Sequence, residues 1–251
     1  MIYRILLAFF APVYNQDVAA DWDKMGTVIW KNGRLGIDRT KPVVYYFFSH
    51  AYIQQLPVLQ INYVFWNSGR LGELTPWYER GDMDGLTLRV TLDRSGIPVV
   101  VDMMNNCGCS HVFIPNRNGV QQVKAVDMGL DPVTPADLPD GFPSRRLSVR
   151  INSGWHQAQH IDLFKEAEKQ ISYNLVPYRE LESLPKEDGT FESMFDQRGI
   201  GKGTERVEPY FFFPMGIPEV GAMRQRGHHP TALIGRTHFD DPQLFNRFFS
   251  W

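Results

Sequence analysis

The sequence predicts a mainly β protein, in which an antiparallel meander forms a barrel or a sandwich, with a few short helices that include a C-terminal one. Aromatic residues make up 13% of the chain, and its 17 phenylalanines and 10 tyrosines favour strands. Apolar and polar residues alternate over 86–93 (LTLRVTLD), which is typical of a strand. Short turn signals separate successive candidate strands. Strands joined in this way pair antiparallel, because a parallel return requires a longer crossover.

The composition is that of an ordinary globular protein. The 251 residues are 43% apolar and 22% charged, which allows one substantial core. We therefore expect a single β-rich domain over 1–251. It would consist of a docking helix at 1–14, the meander at 27–160, and a region at 161–251 with a helix, wrapping loops, a final strand and a final helix. The net charge of −2 comes without any basic block, so we expect no nucleic-acid partner.

The N-terminal apolar run at 5–11 is shorter than the roughly 20 residues that cross a bilayer, so we expect no membrane span. It also lacks the clear cleavage site of a signal peptide, and we interpret it as an amphipathic helix that packs on the core. The two cysteines are too close together to staple distant elements, and they say little about the redox compartment. We expect a soluble protein of the cytoplasm or of a bacterial cell envelope.

Turn residues mark the elements of the meander in order. Asn32–Gly33 indicates a hairpin within 27–38, because both residues tolerate the positive φ angles of a tight turn. Long strands are then expected at 42–53 and 58–67, joined through 54–57. Further strands are expected at 86–93, 97–106, 110–115, 119–128 and 146–154.

The second half of the chain is less regular. Apolar residues at helical spacing predict one short helix over 161–171. The segment 210–218 has the pattern of a buried extended segment, and 231–239 that of a strand. Asp241 followed by Pro242 is typical of a helix start, with Asp241 as N-cap, and predicts the C-terminal helix.

The sequence CGCSH provides the first candidate metal site. Its Cys107, Cys109 and His111 are of the residue types that bind zinc, iron and copper, and Gly108 gives the backbone freedom to turn both sulfurs toward one point. The alternative is a simple turn, since cysteines are often buried as small apolar residues.

A second candidate metal site lies in GWHQAQH. His156 and His160 are four residues apart, so they share a face of a helix or of a strand. Gln157 stands where the zinc-protease signature has a general-base glutamate, which argues against that class. The alternative is a pair of polar residues on a half-exposed element.

Polar residues within strand patterns predict a pocket. His50, Gln60, Asn62 and Arg89 lie among apolar neighbours, and buried polar groups require partners. They therefore either face solvent or line a polar interior together with His111. In such a pocket His50 and Arg89 would be catalytic, and Gln60 and Asn62 would bind the substrate.

The segment 221–242 concentrates arginine, histidine and aspartate side chains. We expect Arg224 to bind an acidic substrate and His238 to be catalytic, and Asp240 is placed to orient a histidine. The alternative is a solvated loop.

Three functions are consistent with these patterns. The first is a metal-dependent enzyme that acts on a small acidic or polar molecule, with zinc, iron or copper as its ion. The second is a non-catalytic barrel or sandwich that binds an apolar or aromatic ligand. The third is a structural or interaction domain whose aromatic residues all belong to the core.

Overall fold

The computed structural model describes residues 2–73, 75–122, 131–166, 170–212, 221–230 and 238–251. Strands predominate in them, which confirms the mainly β fold. The helices are α1 (Ile2–Phe10), α2 (Glu208–Phe212) and α3 (Leu244–Phe248). The strands are β1 (Val13–Gln16), β2 (Thr27–Lys31), β3 (Arg34–Asp38), β4 (Val43–Ile53), β5 (Leu56–Arg70), β6 (Gly81–Leu92), β7 (Pro98–Asn105), β8 (Val112–Pro115), β9 (Gln121–Gln122), β10 (Leu147–Ile151), β11 (Ala158–Leu163), β12 (Asn174–Pro177), β13 (Leu184–Pro185), β14 (Phe191–Glu192) and β15 (Phe249–Ser250).

The largest sheet, which we call the main sheet, has six strands in the order β12-β4-β5-β6-β7-β8. Strands β4 to β8 form the predicted antiparallel meander, since each pairs with the next along the chain. Gln54 and Gln55 connect β4 to β5 with φ angles of 49° and 65°, as in a tight turn that matches the twist of the strands. The parallel strand β12 forms one edge and β8 the other, and within the described residues these edges do not pair to close a barrel.

A smaller sheet packs across one face of the main sheet. It has three strands in the order β1-β10-β11, with β1 parallel to β10. Leu88 and Val90 of β6 are buried in the same apolar cluster as Val149 and Ile151 of β10, and Leu7 of α1 joins this cluster. Two sheets that bury apolar faces against each other form a sandwich.

The opposite face of the main sheet carries two separate apolar clusters. One includes Tyr45, Trp66 and Trp30, the last from the hairpin β2–β3. The other surrounds Phe113 and includes Phe245 of α3. The sheet positions between these two clusters are polar, and they hold the candidate site.

The hairpin at Asn32–Gly33 is confirmed, with φ angles of 51° and 71° at the turn. The C-terminal helix is confirmed too, but α3 begins at Leu244 and its N-cap is Gln243. Asp241 instead accepts a hydrogen bond of 2.8 Å from the backbone N–H of Gln243, in the turn that precedes the helix. The docking helix ends at Phe10, because Pro12 cannot continue a helix.

The helix predicted over 161–171 is wrong at its start. β11 runs through Leu163, and its Ile161 pairs with Val149 of β10, so strand pairing overrides a short helical pattern. The segment 210–218 is helical, not extended, as far as it is described. Residues 123–128, 167–169, 213–218 and 231–237 of the predicted elements lie outside the described residues.

None of the helices in the described part of the chain has the length and apolar character needed to cross a bilayer.

Candidate functional site

A buried polar band crosses the main sheet between its two apolar clusters. The register places Asn62 beside Arg89, and Gln60 beside both Ser49 and Thr91, all on one face. The amide of Gln60 donates to Thr91 at 3.2 Å, and the amide of Asn62 donates to Ser49 at 2.8 Å. Gln60, Asn62 and Arg89 are all buried, so the alternative prediction that these side chains face solvent is wrong.

Arg89, Asp102 and His111 form a connected chain at the end of this band. Nε and Nη2 of Arg89 donate to the two carboxylate oxygens of Asp102 at 2.9 and 2.6 Å. Nε2 of His111 lies 2.7 Å from Oδ2 of Asp102. Arg89 also contacts Phe239. The backbone oxygen of Phe239 accepts a hydrogen bond from Nη1 of Arg89 at 2.7 Å, and the Phe239 ring lies 3.8 Å from the guanidinium carbon. This chain holds the His111 ring in one orientation.

The charges of this chain follow from its burial and its partners. Burial opposes ionisation of Asp102, but Arg89 and His111 outweigh it and lower the pKa of this carboxyl group. Burial lowers the pKa of His111 below its ordinary value, and Arg89 adds to this, although Asp102 opposes it. At neutral pH Asp102 is thus ionised and His111 is neutral. The Nε2 of His111 carries the proton donated to Asp102, which leaves a lone pair on Nδ1.

His111 lies in the wall of a cavity of about 140 Å³. Most of the wall is apolar, with Phe113, Phe239 and Leu244 among its side chains. The polar side chains of the wall are His111, His238 and Asp131. Among the described residues, the wall contains no serine, threonine or cysteine, and no hydrogen bond reaches Nδ1 of His111. The His111 imidazole thus borders a small, mostly apolar space.

The predicted catalytic residue His238 shares this cavity, and its Nδ1 is buried without a hydrogen-bond partner among the described residues. Asp240 does orient a histidine, but this is His229, whose Nδ1 lies 2.9 Å from Asp240 Oδ2. Burial opposes ionisation of Asp240, but the contacts with His229 prevail and lower the pKa of this carboxyl group to about 2. The rings of His111 and His229 both pack on Phe239, with centroid distances of 5.2 and 5.3 Å.

His156, predicted as a metal ligand, lies in a second buried ionic cluster. Its Nε2 is 2.9 Å from Asp23 Oδ1, and its Nδ1 is 2.8 Å from Asp84 Oδ2. Asp84 also accepts from Nε of Arg70 at 3.0 Å. Burial opposes the charge on His156, but the two carboxylates outweigh it and raise the pKa of His156. Both ring nitrogens therefore donate, and this imidazolium has no lone pair for a metal ion.

The two cysteines contact each other and apolar residues, and not His111, among the described residues. Cys107 is buried in the apolar cluster of Trp66, and Cys109 is half-buried beside it. A hydrogen bond from the Cys109 thiol lowers the pKa of Cys107 to about 6, against the effect of burial and with help from Arg70. The same contact, together with burial, raises the pKa of Cys109.

The proposed common site of histidines and cysteines is not assembled as predicted. His50 pairs with Leu59, which places it on the other face of the main sheet from Gln60 and Asn62. It is exposed there, and His160 is exposed on β11. Arg224 is buried in a bridge to Ile200. No group of three or more histidine, cysteine, aspartate or glutamate side chains in the described ranges is arranged to hold a metal ion.

The sequence reasoning missed Asp102, Asp84 and Asp23. A usable signal existed for Asp102, because a charged residue in the apolar run PVVVDMM must be paired when the strand is buried. Asp23 has no such signal, since its partner His156 is 133 residues away.

Comparisons of the chain with family models, with curated proteins and with solved structures find no match. The function is therefore inferred from the geometry of the site.

Proposed function

We propose that this protein is an enzyme that acts on a small polar molecule in the cavity beside His111, with His111 as its general base. The observation that carries the proposal is the placement of the His111 imidazole, which borders the cavity and whose Nε2 lies 2.7 Å from the buried Asp102 carboxylate. A general base requires this combination of a fixed tautomer and an available lone pair.

Asp102 is a positioning residue in this proposal. As His111 Nδ1 accepts a proton from the water that attacks the substrate, the ring becomes an imidazolium, and the carboxylate 2.7 Å away stabilises its charge. Arg89 keeps Asp102 ionised and fixes its orientation through two hydrogen bonds. The cost of burying these charges is offset by their mutual pairing.

The cavity wall supports acid–base chemistry over a covalent route. The described wall residues include no hydroxyl or thiol nucleophile, whereas His238 and Asp131 provide further polar groups. The volume of about 140 Å³ suits a molecule of few non-hydrogen atoms.

A metal-dependent version of the same enzyme is the second candidate. His111 and His238 line one cavity, so both could bind a zinc, iron or copper ion there. Elemental analysis of protein purified without an affinity tag separates the two versions. A stoichiometric transition metal that is lost in His111→Gln favours the metal-dependent version.

The proposal is tested with p-nitrophenyl acetate as a small acyl substrate and with acetate as a probe in NMR. We expect acetate to shift the ring signals of His111, and His111→Gln to lower the hydrolysis rate by about 100-fold, the usual contribution of a general base. His160→Gln is the matched control, because His160 is exposed on β11. The proposal is contradicted if His111→Gln and His160→Gln hydrolyse the ester equally fast and acetate shifts no signal of His111.

A further inference from the structure

One end of the sandwich exposes apolar side chains from three separate segments. Tyr3 and Ile5 of α1 are 55% and 62% exposed. At the start of β5 Leu56 is 46% exposed, and in the β6–β7 turn Ile97 is 52% exposed. We call these four residues the apolar tip. Soluble proteins expose single apolar side chains routinely, but a concentration at one end marks an interaction surface.

A groove brings these segments together. It has a volume of about 440 Å³ and lies between α1 and the main sheet. Tyr3 from the helix, Pro57 from the start of β5 and Gly96 from the β6–β7 turn all line it. Tyr3 also packs edge-on against Phe48, with ring centroids 5.2 Å apart, which fixes the start of α1 over β4. The pairing of Leu59 with Leu92 brings the β4–β5 and β6–β7 turns to the same end of the main sheet, and Tyr3 lines the groove beside them.

Two arginines and one aspartate lie at this end. Arg94 lines the groove, Arg4 is exposed next to Tyr3, and neither has an ion-pair partner among the described residues. Asp93 also lines the groove, but its Oδ1 accepts from the backbone N–H groups of Ser95 and Ile97, both at 2.8 Å. These hydrogen bonds hold the Asp93 carboxylate within its own turn, although it keeps its negative charge.

We propose that the apolar tip docks this protein on the surface of an anionic lipid bilayer. Ile5, Leu56 and Ile97 enter the boundary between headgroups and acyl chains, and Arg4 and Arg94 pair with lipid phosphates. Peripheral membrane proteins use the same combination of exposed apolar side chains and flanking cations. The proposal concerns the end of the sandwich remote from the His156 cluster, and it does not depend on the enzymatic proposal.

The experiment is sedimentation of the full chain with vesicles of phosphatidylcholine and phosphatidylglycerol, compared with vesicles of phosphatidylcholine alone. We expect binding to the anionic vesicles that weakens as salt is added, because exposed charges are screened. Arg94→Gln should weaken binding about fivefold, the effect of roughly 1 kcal/mol per basic residue near an anionic surface. Leu56→Ser with Ile97→Ser should weaken it at least about fivefold, since two apolar side chains no longer insert.

Matched controls come from the other side of the molecule. Phe191→Ser removes an apolar side chain that is 67% exposed, and Arg34→Gln removes an exposed arginine. Neither control should change vesicle binding. The proposal would be overturned if the protein sediments with neither kind of vesicle or binds both kinds equally. Equal losses of binding in the control variants would also overturn it. Circular dichroism of each variant verifies that a loss of binding does not come from unfolding.

Discussion

The carboxylate of Asp84 lies 2.8 Å from Nδ1 of His156, and both side chains are fully buried. The other ring nitrogen of His156 contacts Asp23, which comes from a segment far earlier in the chain. A cation held between two carboxylates in the interior ties the short N-terminal region, β6 and the turn after β10 into one unit. The cluster therefore affects stability and its dependence on pH.

The first prediction concerns the pH dependence of stability. His156 has a raised pKa, so its contribution is fully present below its unfolded value of about 6.5 and is lost as pH rises through the folded value. Asp23 and Asp84 have lowered pKa values, so their contributions are fully present above about pH 4 and are lost as pH falls. Stability from this cluster should thus be greatest between about pH 4 and about pH 6.5.

Urea unfolding at pH 5.5 to 8.5, a range of about three units around the ordinary histidine value, checks this prediction. His156→Ala should lower the free energy of unfolding by about 3–5 kcal/mol, because it leaves two buried carboxylates without their cation. It should also remove the decline in stability above about pH 6.5. His160→Ala serves as control and should change neither quantity; an equal effect of both variants would argue against a structural imidazolium.

The second prediction concerns the ion pair of Arg89 with Asp102. Asp102→Ala should lower the free energy of unfolding by about 3–5 kcal/mol, because the guanidinium remains buried without a carboxylate. The double variant Arg89→Met with Asp102→Leu should be more stable than Asp102→Ala, since two apolar side chains need no pairing. Denaturant unfolding of Asp102→Leu, of Arg89→Met and of the double variant measures the coupling. If the double variant loses the sum of the single losses, the two residues are energetically independent.

The third prediction concerns the Cys107 thiol, whose pKa is lowered to about 6 by the Cys109 thiol in spite of burial. Cys109→Ala removes that donor, so the pKa of Cys107 should rise. Thiolate absorbance in the ultraviolet, followed against pH, gives the value in each variant. In Cys107→Ala only Cys109 remains to titrate. The pKa of Cys109 should be lower there than in the parent protein, because the sulfur of Cys107, which raises it, is gone.

The fourth prediction concerns Gly85, a residue of β6 with no room for a side chain. A methyl group there would overlap the backbone oxygen of Phe65 and the side-chain nitrogen of Asn106. Gly85→Ala should therefore lower the free energy of unfolding by about 3 kcal/mol, at the upper end of the cost of overpacking. Gly36→Ala is the matched strand control, because no atom lies within 4 Å of the added carbon. Thermal unfolding of both variants tests this, and equal midpoints would contradict it.

Much of the fold was predictable because its signals are local. Asn32–Gly33 and the alternation over 86–93 specify a turn and a strand through neighbouring residues alone. The helix predicted at 161–171 failed because pairing of β11 with β10 outweighed the local pattern. Short apolar runs leave the choice between helix and strand to tertiary contacts.

The candidate site was predictable in part. The sequence correctly identified Arg89 and His111 as polar groups of the candidate site. It also included His50, but the alternation of β4 places His50 on the other face of the main sheet. The link between them is Asp102, which pairs with Arg89 across β6 and β7. Strand register decides which residues become neighbours, and register cannot be obtained from one sequence without knowing the bulges and turns.

The parallel pairing of β1 with β10 also has a consequence during biosynthesis. Val13 lies beside Ser148, so within the described residues the first strand has no strand partner until β10 has left the ribosome. Helix α1 has earlier partners, since Tyr3 packs on Phe48 of β4 and the Tyr63 hydroxyl donates to the backbone oxygen of Leu7. Strand β1 is thus made before β4 to β8, yet it can pair only after they have been made.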